Sequence, residues 1–102
     1  MKFIAKKSKK NLLSLARRLG YKPISSTEQE FSCIRRFSGA QYPRFHLYVK
    51  QEKDSFIFNL HLDQKKPSYP GTSAHSGEYE GPIIEKEAGR IKMILRGLDK
   101  TS

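Results

Sequence analysis

The sequence predicts an α+β domain in the order α-β-β-β-α, a three-stranded antiparallel meander with two helices on one face. Two stretches, Arg44 to Lys50 and Ser55 to Leu62, alternate apolar and polar residues, the period of a strand with one buried side. Two others, one near each end of the chain, space their apolar residues three and four apart, the period of an amphipathic helix. The segments between the three strands are short, which favours hairpins over crossovers and leaves one sheet face for the helices.

Taken in order, a basic segment at residues 1–7 precedes a single domain over 8–98, and residues 99–102 form a tail. The first helix is expected from Ser8, whose hydroxyl can cap free N–H groups, to Leu19. Gly20 suits the left-handed position that ends a helix, Tyr21 can pack back on the last turn, and Pro23 blocks continuation. Leu12, Leu15, Ala16 and Leu19 share one face, while Lys10, Ser14, Arg17 and Arg18 lie on the other. The first strand, Glu30 to Phe37, alternates poorly, with Phe31 and Cys33 its inward residues. A loop at residues 38–43 and a turn at 51–54 join it to the next two. In these, Phe45, Leu47 and Val49, then Phe56, Phe58, Leu60 and Leu62, point to one side. The last helix runs from Pro82, a residue suited to a first helical turn, to Arg96. Its stripe is Ile84, Ala88, Ile91, Leu95 and Leu98, and Gly97 ends it. Leu15, Leu19, Phe58, Leu60 and Ile91 are the expected centre of the core.

Charge is the strongest global signal. The 102 residues carry a formal net charge of +10, unevenly placed. Residues 1–22 hold eight basic residues and no acid, and the rest holds twelve basic and ten acidic residues. Such a block attracts polyanions, so the expected partner is a nucleic acid, RNA in the first instance. Lys6, Lys7, Lys9, Lys10, Arg17 and Arg18 would contact phosphates. Arg44, His46, Tyr48 and Lys50, outward from the second strand, would add cations and planar rings for bases. No apolar run approaches the ~20 residues of a membrane span, and no apolar core follows the basic N-terminus as in a secretory signal. The one cysteine, Cys33, cannot form an internal disulfide, which together suggests the cytoplasm.

Residues 63–81 lack periodicity, and so long a loop in a small domain suggests function. It is rich in residues that bind: Asp63, Lys65, Tyr69, Thr72, His75 and Glu78. His61 and Asp63 share a strand face, and with His75 and Glu78 they form a candidate metal set. The same histidines suggest a second chemistry. His61 and His75 could act as base and acid on RNA, with Lys65 stabilising the charged phosphorane. No P-loop, GxGxxG fingerprint or nucleophile elbow is present, and no cofactor is expected. An RNA-binding module and a small ribonuclease are therefore both open. A third reading is a protein-binding adaptor that would engage a protein partner through Glu78, Glu80 and the last helix.

Across residues 8–98 the element order resembles the double-stranded-RNA-binding fold and the HicA-type small toxins that share it. Leu19-Gly20-Tyr21, closing a basic helix, is similar to the corresponding helix end of HicA proteins. The resemblance implies an RNA-binding fold and, to a lesser degree, catalysis.

Overall fold

Alternation in residues 44–62 folds as it reads. Strand β4 (Arg44–Gln51) buries Phe45, Leu47 and Val49, and strand β5 (Ser55–Asp63) buries Phe56, Phe58, Leu60 and Leu62. Strand β3 (Glu30–Arg36) adds Phe31 and Cys33 to the same side. Its weak alternation has a cause: Ser32 and Ile34, on the opposite side, are buried as well. The computed structural model describes residues 1–7, 11–64, 77–78 and 81–101, with the side chains of 77–78 and 99–101 excepted.

The expected meander β3-β4-β5 is the centre of a wider antiparallel sheet in the order β1-β5-β4-β3-β2. Strand β1 (Lys2–Lys6) pairs with β5, and strand β2 (Lys22–Ser26) with β3. A two-residue strand β6 (Gly77–Glu78) pairs with β5 beyond the end of β1. The added strands carry little alternation to read. Within β1 only Phe3 and Ala5 face the core, and lysines at both ends blunt an exposed edge. β2 contains Pro23, which lacks an N–H and is tolerated at an edge, and its register shifts beside that proline.

Helix α1 (Leu12–Leu19) starts later than the expected Ser8, which lies outside the described residues. The chain stays extended through Lys7, whose N–H donates to the Asp54 carbonyl at 3.1 Å. Asn11 then caps the helix, its Oδ1 accepting from the Ser14 N–H at 2.8 Å. The far end is as the sequence predicts: Gly20 has φ 88°, and the Tyr21 N–H returns to the Ala16 carbonyl at 2.8 Å. Because β1 and β2 lie on opposite edges, α1 carries the chain across the sheet.

Helix α2 (Pro82–Thr101) passes through Gly97 rather than ending there. Burying Leu98 beyond the glycine outweighs its cost of about 1 kcal/mol in a helix. The predicted stripe otherwise holds. Ile84, Ala88, Ile91 and Leu98 are buried and Leu95 packs against them, in one cluster with Leu15, Ala16, Leu19 and the inward sheet residues. Leu15, Leu19, Phe58, Leu60 and Ile91 are all inaccessible, as expected. Cys33 is buried in this core, its Sγ–H directed at the Leu47 carbonyl and its pKa pushed up to about 12 by burial, so it is an inert thiol. No helix among the described residues is long and apolar enough to cross a membrane.

One polar group is built into the helical layer. Glu87, 4% exposed, accepts the Tyr21 hydroxyl at 2.6 Å and Arg90 through Nε at 2.8 Å and Nη2 at 2.7 Å. Arg90 Nη2 also donates to the Leu19 carbonyl at 2.7 Å, and Arg35 reaches Glu87 at 3.5 Å. The cluster ties the end of α1 to α2 and to β3. Burial, and then the carboxylate, push the Tyr21 pKa far up, so the phenol stays a donor.

Candidate functional site

With the helices on one face, the alternation sends every second residue to the other. Along β5 these are Ile57, Asn59, His61 and Asp63, and along β4 they are Arg44, His46, Tyr48 and Lys50. The β4–β5 register sets His46 opposite His61, Arg44 opposite Asp63 and Tyr48 opposite Asn59. Cross-strand partners on one face lie within side-chain reach, so Arg44, His46, His61 and Asp63 converge there.

Asp63 is the centre of this group. Its Oδ2 lies 3.1 Å from His46 Nδ1 and 3.4 Å from Arg44 Nε, and its Oδ1 lies 3.4 Å from His61 Nε2. The His46 and His61 ring centres are 5.0 Å apart, and Tyr48 stacks on His46 at 4.3 Å with 20° between planes. From β3, the Ser32 hydroxyl meets His46 Nε2 at 2.7 Å. The three residues that touch Asp63 are largely buried, and Asp63 itself is 20% exposed.

Burial is the largest influence on both imidazoles and lowers both pKa values, against the pull of Asp63 in the other direction. At neutral pH the rings are uncharged. The contact of His46 with Asp63 is then a hydrogen bond from a neutral imidazole rather than an ion pair, and each ring has one lone pair, on the nitrogen that does not carry the proton.

Cations surround this centre. β1 brings Lys2 and Lys6 to the same face, opposite Asn59 and Ser55. Lys22 and Arg36 reach it through their pairing with Ile34 and Arg44, and Lys50 lies opposite Ile57. All five are exposed. A hollow of about 450 Å³, lined by Lys2, Glu30, Tyr48, Lys50, Ile57 and Asn59, opens beside the histidines. A larger one, about 530 Å³, lies on the helical side between Arg35, Phe37, Phe45, Ile83, Lys86 and Arg90. The sequence reading did not single it out, since its walls come from three distant segments.

The structure thus divides the expected binding residues. Lys6, Arg44, His46, Tyr48 and Lys50 share the open face, and Lys7 is exposed just after β1. Arg17 and Arg18 are exposed on α1, in the layer behind the sheet. Lys9 and Lys10 lie outside the described residues, as do His75 and Lys65. Of the expected metal set, His61 and Asp63 come together, the Glu78 backbone pairs opposite Leu62, and His75 is outside the described residues.

His46 is the partner that sequence reasoning missed. The alternation marks it as an outward-facing binding residue and does not join it to His61. A hairpin centred on 51–54 would have set it opposite Asn59. The real turn lies a residue later, with the Glu52 N–H donating to the Ser55 carbonyl, which moves the pairing two residues along. An even shift keeps the face and changes the partner.

Comparison with protein-family models, with curated proteins and with solved structures finds no match to this chain.

Proposed function

We propose that this protein binds RNA on the open face of its sheet. One observation carries the reading: the stacked rings of His46 and Tyr48 sit among Lys2, Lys6, Lys22, Arg36 and Lys50, on a face the helices leave uncovered. Lysines and arginines hold phosphates, and planar rings give unpaired bases a surface to stack on. Within the full order β1-α1-β2-β3-β4-β5-β6-α2, the subset α1-β3-β4-β5-α2 is similar to the order of double-stranded-RNA-binding domains and HicA-type toxins, a further support.

Fluorescence anisotropy of a labelled RNA across a salt series tests this. Affinity should fall with a log–log slope of about −0.7 per phosphate contacted on a single strand. Replacing Lys2 and Lys50 with glutamine should flatten the slope by roughly 1.4, while replacing Arg17 and Arg18 behind the sheet should change it less. A slope near zero in the parent protein would refute the proposal. The RNA recovered from the titration tests the ribonuclease reading, for which His46, its ring centre 5.0 Å from that of His61, is a candidate partner beside His75. Cleavage that disappears in both His46→Ala and His61→Ala would establish it.

A further inference from the structure

We propose that His46, His61 and Asp63 bind a divalent transition-metal ion of the zinc class. The donors are two imidazole nitrogens and one carboxylate oxygen, a set that suits zinc and its neighbours better than magnesium or calcium, which take oxygen ligands. The three ligand atoms lie within 4.8 Å of one another.

The individual distances point the same way. Ligand atoms about 2.1 Å from a tetrahedral zinc lie about 3.4 Å from each other. His46 Nδ1 is 3.1 Å and His61 Nε2 is 3.4 Å from the nearest Asp63 oxygen. The two contacts are made to different carboxylate oxygens, so an ion would draw the three ligand atoms in from separations of up to 4.8 Å toward that spacing. The ligands come from two paired strands rather than loops, and their largely buried side chains hold their positions.

Ser32 completes the arrangement. Without metal, His46 donates its Nδ1 proton to Asp63 and accepts the Ser32 hydroxyl at Nε2. With metal, the Nδ1 lone pair binds the ion, and Nε2–H donates to the same hydroxyl at 2.7 Å. A hydroxyl both donates and accepts, so Ser32 serves both tautomers. Arg44 opposes the ion, but its guanidinium lies 4.6 Å over the Tyr42 ring and need not enter the ligand set. Three protein ligands leave one position for water or a substrate oxygen.

The inference does not depend on RNA binding, and its test uses metal alone. Tag-free full chain, stripped with a chelator, is titrated with Zn²⁺ by calorimetry. Long-range ¹H–¹⁵N spectra of the imidazoles follow the same titration. One ion per chain is expected, with metal-induced shifts at His46 Nδ1 and His61 Nε2. These spectra need no variant, so a misfolded substitution cannot obscure the answer. His46→Gln, His61→Gln and Asp63→Asn should each abolish uptake. Ser32→Ala should weaken it about tenfold or more through the lost partner of a ligating histidine, and Arg44→Gln should tighten it. No uptake by the parent chain overturns the proposal. So does uptake that survives in His46→Gln and Asp63→Asn, or imidazole shifts confined to His75.

Discussion

Glu87 and Asp63 are both carboxylates held among cations or imidazoles in largely buried surroundings, and they are held in different ways. Glu87 is saturated. Its contacts with Tyr21 and Arg90 measure 2.6, 2.7 and 2.8 Å, and Arg90 spends a further donor on the last turn of α1. Asp63 has three neighbours at 3.1, 3.4 and 3.4 Å, two of them neutral rings. Short contacts that consume every donor make a fastening between elements. Longer contacts, on a face without helices, hold the carboxylate less tightly. Distance and donor use, rather than burial alone, separate a carboxylate that fastens elements together from one held loosely at an open face.

Substitutions can break this contrast. The largest expected effect is on Glu87→Ala. It removes a buried carboxylate and leaves Arg90 without its partner, at a cost of about 3 kcal/mol in denaturant titration. That is the low end for broken buried pairs, because Arg90 is 34% exposed and can reach water. Tyr21→Phe comes next, at about 1.5–2 kcal/mol for one lost bond to a charged acceptor. Asp63→Asn should cost below about 1 kcal/mol, because its contacts are long and an amide can still accept. If Asp63→Asn destabilises as much as Glu87→Ala does, the two carboxylates have the same role and the contrast fails.

Acidity sharpens the comparison with a smaller effect. His46 and His61 have lowered pKa values in the fold, so below pH ~6.5 the unfolded chain binds more protons than the folded one. Their contribution to stability should therefore be level above that pH and decline as pH falls through it toward the folded values. In metal-free protein, His46→Gln should flatten the decline between pH 6.5 and the acid limb, whereas Tyr21→Phe should leave its shape unchanged. A midpoint-against-pH series measures both, and an unaltered profile for His46→Gln would count against buried, neutral imidazoles.

Much of this molecule was legible in the sequence because its signals are local. Alternation along 44–62 decides which side chains turn inward, and Phe45, Leu47, Val49, Phe56, Phe58, Leu60 and Leu62 are buried accordingly. The spacing of Leu15, Leu19, Ile84, Ala88 and Ile91 does the same for the helices, and Gly20 marks its helix end. The charge of the N-terminal block is likewise a property of composition. Which residues meet was decided elsewhere. β1 finds its partner about fifty residues away, and a proline-bearing segment becomes an edge strand only because β3 offers it an edge. The turn position at 52–54 decides that His46 faces His61. Glu87 is buried because Tyr21, from a distant segment, and Arg90 arrive to satisfy it. A face follows from the period of a single segment, whereas a site requires the register between segments, and register is set by the summed pairing and packing of the whole sheet.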